Sequence, residues 1–276
     1  MSAPSQLGPK LATGGSADIF AWGERQVIKR FRRGTPPAAA MREAACTRAA
    51  RDAGAPAPET SNVVQTDGHV AVIFERITGS SLLEALFTGV QDPVSVGRSL
   101  GLMHAGLHAL RSVQLPDQHE GLREALARVP FDDTARQRIA STLERLPFGD
   151  SVCHGDFHPG NVLLTATGPM LIDWYDATRG CPVADVARTS LLLLHAEPPG
   201  MIAAGMRAHI DRLRVAVHDA YLAQYRDLRP IDERELADWS LVMAAERLAR
   251  GPSQAEQAAL ANVIRHHLQR VQTNPS

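Results

Sequence analysis

The stretch Val152–Leu164, with the sequence VCHGDFHPGNVLL, is followed by Leu171–Trp174, LIDW, and together these two segments decide the fold. In the first segment, two short apolar runs enclose a polar loop. Between the segments, Thr167–Pro169 places glycine and proline where a hairpin turn is expected. The pattern therefore predicts strand, polar loop, strand, turn and strand.

Three acceptor side chains, Asp156, Asn161 and Asp173, fall at the ends of these strands. Phosphoryl transfer needs such a set, because one carboxylate orients the attacking hydroxyl while an amide oxygen and a second carboxylate bind Mg²⁺. The order H-x-D-x-x-x-x-N, then a hydrophobic hairpin ending in Asp, is the catalytic-loop pattern of kinases. A polar loop that only caps turns is the alternative, but the joint spacing favours the catalytic interpretation.

The motif His154–Asn161, followed by Ile172–Trp174, resembles the aminoglycoside phosphotransferase and choline kinase family. Members of that family are small-molecule kinases with a protein-kinase-like fold. The resemblance implies an α+β, bilobal molecule. Residues 1–77 would form a nucleotide-binding lobe with a five-stranded antiparallel sheet and one helix. Residues 78–276 would form a largely helical lobe with the catalytic loop and the acceptor pocket.

Composition restricts the class of protein. The chain has 276 residues, 44% hydrophobic and 21% charged, as in ordinary soluble domains, and its net charge of -1 argues against nucleic-acid or membrane partners. Cys46, Cys153 and Cys181 lack metal-type spacing, which favours a reduced, cytoplasmic protein. Met1–Thr13 lacks the apolar core of a signal peptide, and the aliphatic run Leu191–Leu194 is too short to span a bilayer.

The N-terminal segment Lys10–Phe31 predicts three strands joined by two turns. The first turn contains Gly14, Gly15 and Ser16, whose backbone N–H groups can approach phosphates closely. Alone this is a weak signal, because Gly-Gly-Ser is more often only a loop and the full G-x-G-x-x-G spacing is absent. Lys29 supports the phosphate interpretation: nearly every other basic residue is Arg, and its strand lies within reach of the α- and β-phosphates.

A helix predicted over Ala38–Ala53 carries Glu43 in its first half. Glu43 is either a solvated carboxylate near a helix N-terminus or the partner that aims Lys29 at the phosphates, and the order of elements favours the second. Glu75 to Ile77 follow the last predicted strand of this lobe. Their backbone groups are expected to form a hinge that meets the purine edge.

The rest of the sequence predicts two more strands and a series of helices with apolar residues at helical spacing. The strands are Asn62–Thr66 and His69–Arg76. The helices are one beginning at Leu82, then Pro93–Ser112, Leu122–Val129, Asp133–Leu146, one after Pro182, Pro199–Leu228, Asp232–Arg250 and Ser253–Gln272.

Three residues outside the motif deserve a prediction of their own. His104 and His108 lie four apart on a predicted helix, which would allow a metal pair. No third ligand is evident from the sequence, so core packing and an exposed face are favoured over a metal site. The family resemblance implies that Asp185 braces the catalytic loop through hydrogen bonds.

The leading hypothesis is a small-molecule O-phosphotransferase that uses ATP or GTP with Mg²⁺. Asp156 orients and deprotonates the acceptor hydroxyl, Asn161 and Asp173 bind magnesium, and Lys29 steadied by Glu43 holds the phosphates. Its partners would be a nucleoside triphosphate and a small hydroxylated acceptor, with the protein a monomer or a weak dimer.

Two other classes compete with this hypothesis. A protein kinase needs a long activation segment, whereas few residues separate Asp173 from Pro182. A catalytically silent pseudokinase scaffold is the alternative from a different class, and the presence of every expected catalytic residue type argues against it.

The acceptor is the least determined part of the prediction. The resemblance suggests aminoglycosides, hence a role in antibiotic resistance, and polycations require acidic pockets. After Gly180 the carboxylates are matched closely by Arg, although Asp176, Glu197 and Glu246 could converge in space. A sugar, an amino alcohol or another natural product is equally compatible.

Overall fold

The computed structural model describes residues 7–129, 131–197 and 206–273. Within them the predicted α+β arrangement is confirmed: a five-stranded antiparallel sheet precedes a largely helical part. The order of strands in the sheet is β1-β2-β3-β5-β4. The elements of this N-terminal part are β1 Lys10–Thr13, β2 Ala17–Trp22, β3 Gln26–Phe31, α1 Pro37–Asp52, β4 Thr60–Thr66 and β5 His69–Glu75.

Strand β3 places Lys29 on the sheet face that meets α1. Alternate residues of a strand point to opposite faces, so Lys29 shares its face with Phe31, while Ile28 lies on the other. Phe31 packs in the same buried cluster as Ala40 and Ala44 of α1. The small alanine side chains bring α1 close to the sheet, and this closeness lets a carboxylate of the helix reach a lysine of the strand.

The C-terminal part combines short strands with helices. Two small sheets form here, one of β6, β8 and β9 and one of β7 and β10. The elements are β6 Ser80–Ser81, α2 Leu82–Phe87, α3 Pro93–Leu107, α4 Gln118–Leu126, α5 Asp133–Arg145, β7 Ser151–Cys153, β8 Val162–Thr165, β9 Gly168–Leu171, β10 Thr178–Gly180, α6 Pro182–His195, α7 Arg207–Leu228, α8 Glu233–Ala249 and α9 Gln254–Thr273.

Helix α3 ends earlier than the sequence pattern predicts, at Leu107 rather than Ser112. The chain beyond it pairs with β7: the backbone N–H of Val152 donates to the carbonyl of Leu110 at 3.0 Å, and Arg111 forms a bridge with Ser151. Tertiary pairing with β7 therefore overrides the helical periodicity of these residues.

Other boundaries also differ from prediction. Helix α4 begins before the predicted Leu122, because Asp117 caps it by accepting a hydrogen bond from the N–H of Glu120 at 3.1 Å. The β8–β9 hairpin is confirmed, but Gly168 already pairs with Thr165, so the turn lies one step before the predicted one. The predicted helix start at Pro199 lies outside the described residues.

Glycine in α3 permits a very close approach of α7. A Cβ placed on Gly101 would lie 2.6 Å from the carbonyl oxygen of Tyr221. The contact brings Tyr221 and Tyr225 of α7 beneath the catalytic loop, where both are buried. None of the helices in the described ranges combines the length and apolar character that a membrane crossing requires.

We expect Gly101→Ala to destabilise the protein and Gly106→Ala on the same helix to stabilise it slightly. Replacing glycine by alanine inside a helix gains roughly 0.5–1 kcal/mol. At Gly106 a Cβ meets nothing within 4 Å, whereas at Gly101 it collides with backbone. Overpacking of that kind costs about 1–3 kcal/mol. Urea unfolding of both variants measures the difference, and equal midpoints would show that α7 is not closely packed at Gly101.

Candidate active site

The catalytic loop leaves β7 at Cys153 and is anchored by a buried aromatic side chain. Phe157 is fully buried and stacks on the ring of His104, with 4.2 Å between ring centroids and 12° between planes. Gly155 has a φ of 76°, and a Cβ there would collide with the backbone of Asp176. The loop between β7 and β8 is therefore fixed on both sides of Asp156, by Gly155 before it and by Phe157 after it.

Asp156 and Asn161 contact each other directly. The side-chain amide of Asn161 donates to Asp156 Oδ2 at 3.1 Å and to the Asp156 carbonyl at 2.9 Å. His158 Nε2 lies 3.6 Å from Asp156 Oδ2. Burial alone would raise the pKa of Asp156, but His158 and the guanidinium of Arg188 outweigh it and hold that pKa below its usual range. Asp156 is therefore an ionised acceptor at neutral pH.

Asp173 ends the hairpin in an unusual backbone conformation. Its φ of 65° and ψ of 63° lie in the left-handed region, which non-glycine residues seldom occupy. Its carboxylate Oδ1 accepts from Lys29 Nζ at 3.0 Å, and its side chain is 39% exposed to the cleft. The strained backbone thus presents a carboxylate to the cleft from a rigid hairpin.

The oxygen donors at this site fit a magnesium ion. Asp173 offers a partly exposed carboxylate, and Asn161 can offer its amide oxygen, because its amide nitrogen faces Asp156. Magnesium prefers such oxygen ligands together with phosphate oxygens. Both residues are the predicted metal ligands; their role stays a prediction.

Lys29 and Glu43 form the predicted ion pair. Lys29 Nζ donates to Glu43 Oε1 at 2.7 Å, and both side chains are buried. Burial raises the pKa of Glu43 to about 7, with the charge of Lys29 opposing the shift. Burial alone would lower the pKa of Lys29, but the carboxylates of Asp173 and Glu43 outweigh it, so the ammonium stays charged. A buried cation held between two lobes is suited to a phosphate.

The predicted nucleotide-binding residues line one cavity of about 630 Å³ between the five-stranded sheet and the catalytic hairpin, that is, the β8–β9 hairpin with Asp173 at its end. The glycine turn covers it, Lys29 lies inside, and the predicted hinge, Glu75 to Ile77, forms one edge. Its lining includes Gly14, Gly15, Ser16, Lys29, Glu43, Glu75, Ile77 and Asp173. Asp156 lines a second cavity instead, and Gly15 lines both. The turn therefore lies where the two cavities meet.

Asp185 braces the catalytic loop, as the resemblance implies. Its carboxylate accepts from the backbone N–H groups of His154 at 2.6 Å and Gly155 at 3.0 Å. The ring nitrogens of His104 and His108 lie 3.1 and 3.4 Å from Asp185 Oδ2. Burial alone would raise the pKa of Asp185, but the two histidines outweigh it and hold the pKa well below its usual range.

The two histidines share a third potential metal ligand, which the sequence did not reveal. Ligand atoms of His104, His108 and Asp185 lie within 4.8 Å of one another. Each histidine also contacts a tyrosine hydroxyl through Nδ1, His104 that of Tyr221 at 2.8 Å and His108 that of Tyr225 at 2.7 Å. Burial lowers the pKa of His108 to about 3, so its ring is neutral. These bonds engage both nitrogens of each ring. Both side chains are fully buried, so the exposed face in the prediction is wrong, while the absence of a metal stays a prediction.

Of the three acidic residues considered for a polycationic acceptor, Asp176 and Glu246 lie together and Glu197 lies apart from them. Asp176 and Glu246 both bind Arg188, at 3.4 and 2.5 Å, and both bind Arg250. Glu197 instead lines the cavity that contains Asp156. Asp176 and Glu246 are therefore neutralised by two arginines rather than left free for a cationic ligand.

Three residues near the site escaped the sequence analysis. Arg188 is buried against Asp176 and Glu246, His158 lies beside Asp156, and Arg32 donates to the Gly14 carbonyl of the glycine turn at 2.8 Å. A charged residue inside the apolar run after Asp185 was an available signal for Arg188. His158 lies within the motif itself. For Arg32 no signal was available, because its contact depends on how the turn folds back.

The fold and this arrangement of side chains define a small-molecule phosphotransferase with a kinase-like fold. The model of the phosphotransferase enzyme family matches residues 10–231, and the chain belongs to that family. No curated protein sequence matches it significantly.

Three solved structures show how widely the fold is shared. A thermostable mutant of aminoglycoside phosphotransferase APH(4)-Ia, in ternary complex with AMP-PNP and hygromycin B, is 16% identical with a TM-score of 0.64, covering 100% of this chain and 95% of that one. A choline/ethanolamine kinase family protein from Mesorhizobium loti is 16% identical with a TM-score of 0.59, covering 98% and 89%. Amicoumacin kinase hAmiN, in complex with AMP-PNP, Ca²⁺ and Ami, is 15% identical with a TM-score of 0.59, covering 97% and 89%.

We expect Asp185→Asn to lower the free energy of unfolding by about 3 kcal/mol, because an amide has one accepting oxygen instead of two and leaves buried donors of the loop and the histidines without a partner. The native pKa of Asp185 lies below its value in the unfolded chain. Its stabilisation is therefore present at neutral pH and lost as pH falls through the native pKa. Urea unfolding at neutral and acid pH measures the effect, which should shrink in acid.

Asp150→Asn is the matched control, since this carboxylate precedes β7 and its side chain is 74% exposed. It should leave the unfolding midpoint close to that of the wild type. Equal effects of the two variants would show that Asp185 does not support the loop energetically.

Proposed function

We propose that this phosphotransferase moves the γ-phosphate of ATP or GTP to a hydroxyl group of a small acceptor, with Mg²⁺ as cofactor. One observation carries the proposal: Lys29 contacts Asp173 at 3.0 Å while Asn161 contacts Asp156 at 3.1 Å, so phosphate, metal and hydroxyl ligands adjoin one another. Family membership and nucleotide-bound structures of the same fold support it.

In this proposal each residue has a defined task. Asp156, ionised at neutral pH, accepts a hydrogen bond from the acceptor hydroxyl and orients its oxygen toward the γ-phosphate. Lys29, steadied by Glu43, binds the α- and β-phosphates beneath the glycine turn. Asn161 and Asp173 would hold magnesium, which neutralises charge on the phosphates when bound.

Other parts of the proposal concern setting and assembly. We place the enzyme in the cytoplasm, because its cysteines are free and buried and nucleoside triphosphates are intracellular. A monomer or weak dimer is part of the same proposal. A role in antibiotic resistance depends on the acceptor. Relatives with hygromycin B or Ami in their structures make an antibiotic one candidate acceptor.

Asp156→Asn should lower kcat by a factor on the order of 10² or more, while Mg-dependent nucleotide binding persists. The amide cannot take up a proton or attract the hydroxyl as a carboxylate does. Nucleotide consumption over a panel of hydroxyl compounds measures kcat, and calorimetry measures nucleotide affinity. The control Asp133→Asn changes a carboxylate that is 99% exposed on α5 and should leave both unchanged.

The same experiment tests the scaffold alternative. A silent pseudokinase would bind nucleotide but yield no phosphorylated product with any acceptor in wild-type protein. Full turnover by Asp156→Asn would instead refute the role of this carboxylate.

We expect activity without activating phosphorylation. Only a short 3₁₀ turn, Trp174–Asp176, and strand β10 separate Asp173 from α6 at Pro182. These elements leave no room for a loop that phosphate would order. Mass spectrometry of active protein should show the unmodified mass; activity that depends on a phosphorylated residue would contradict this prediction.

A further inference from the structure

The cavity that contains Asp156 has an apolar lining. Its volume is about 550 Å³, within the usual range for small-molecule sites. Besides Asp156 and His158, apolar side chains from α2, α6 and α7 form most of its walls. We call it the α2–α7 groove; its apolar lining includes Leu83, Phe87, Leu192, Ile210, Leu213 and Val217.

Phe87 shows that the groove continues to the surface as an apolar face. It is 52% exposed at the end of α2, although aromatic side chains are among the most favourable to bury. A ligand that enters the groove would cover it. The groove thus offers apolar contact along its length and a single reactive carboxylate, Asp156.

The charges around the groove do not suit a polycation. Glu197 is the one carboxylate besides Asp156 among its described lining residues, and two arginines, Arg214 and Arg247, accompany it. Arg247 binds Glu256 at 2.7 Å, and Arg214 donates to the carbonyl of Ala196. A compound with several ammonium groups would face guanidinium groups here and lose its hydration without compensation.

The neighbouring cavity does not supply an excess of carboxylates. That cavity has a volume of about 410 Å³, and its four carboxylates face four guanidinium groups: Glu124, Asp176, Asp185 and Glu246 against Arg42, Arg128, Arg188 and Arg250. Asp176 and Glu246 are paired with Arg188 and Arg250, and the exposed Glu124 lies 3.9 Å from Arg128. A cationic ligand would meet as many positive as negative groups there and would have to break the buried pairs of Arg188, which is costly.

Building on the proposed function, we propose that the phosphate acceptor is an uncharged or singly charged hydroxyl compound with an apolar body. Its apolar part fills the α2–α7 groove, and its hydroxyl reaches Asp156. Recognition then comes mainly from removing apolar surface from water, at up to about fourfold in affinity per buried methylene. Affinity should accordingly depend little on salt, unlike that of a polycation.

Three probes separate the possibilities by their chemistry. Octyl β-D-glucoside and methyl β-D-glucoside carry the same hydroxyl head and differ only in apolar length, while kanamycin is a polycation. Calorimetry on the full-length protein, with and without Mg·AMP-PNP and below the micelle concentration of the octyl compound, measures binding without requiring turnover. We expect the octyl compound to bind at least tenfold more tightly than the other two, with little change between low and high salt.

Matched variants locate the binding. Leu213→Asp places a charge in the groove and should weaken binding of the octyl compound at least tenfold. Val215→Asp makes the same change two positions away on α7, where the side chain is 50% exposed, and should have no effect. Phe87→Asp at the exposed rim should weaken binding as well, without disturbing the fold, if Leu213→Asp proves unstable.

Failure of this inference is distinguishable from failure of the proposed function. Tighter, salt-sensitive binding of kanamycin, equal binding of the two glucosides, or insensitivity to both groove variants would overturn the apolar acceptor. The proposed nucleotide site would survive each of those results if Mg·AMP-PNP bound and the binding weakened in Lys29→Met, and the kinase chemistry would survive if wild-type protein still phosphorylated a compound of the hydroxyl panel. Loss of nucleotide binding in wild-type protein would refute the proposed function while leaving the groove measurement valid.

Discussion

The site depends on one buried carboxylate. Asp185 accepts two backbone N–H groups of the catalytic loop and is flanked by His104 and His108. An isolated buried charge would be expensive, so those four donors are what make its ionised form possible there. The histidines in turn contact Tyr221 and Tyr225, which reach them because α3 and α7 pack closely at glycine. The close packing of α3 and α7 therefore places the tyrosines that hold the two histidines, and the histidines in turn help Asp185 to hold the catalytic loop.

A second constraint joins the sheet to the helical part. Lys29 on β3 contacts both Glu43 on α1 and Asp173 on the catalytic hairpin. With one cation between two carboxylates, the proposed nucleotide-binding side and the proposed metal-binding side have a fixed relation even without ligand. Burying this arrangement disfavours the ionised form of Glu43, whose pKa is raised to about 7 by burial. An incoming phosphate would compete with Asp173 for the ammonium, so the contact that aligns the two parts is also one that ligand binding can loosen.

The sequence predicted those features that local spacing encodes. The hairpin with Asp156, Asn161 and Asp173 follows from the alternation of apolar runs and turns, and the Lys29–Glu43 pair from the order of elements. The sequence did not predict features that depend on contacts between distant residues. Arg188 contacts Glu246, 58 residues away, and His104 contacts Tyr221, 117 residues away. The apolar periodicity also predicted too late an end for α3, because a helical pattern carries no information about pairing with β7.

The contrast between local spacing and distant contacts explains why the type of reaction is easier to infer from the sequence than the identity of the acceptor. Nucleotide and metal need particular polar atoms at fixed spacing, which leave a motif in the sequence. The α2–α7 groove is lined by leucine, isoleucine, valine and phenylalanine side chains on helices, and such apolar residue types also fill the core. An apolar residue that faces a ligand and one that faces a neighbouring helix obey the same periodicity. Only the folded arrangement, which brings three helices together beside Asp156, distinguishes the proposed recognition surface from a core.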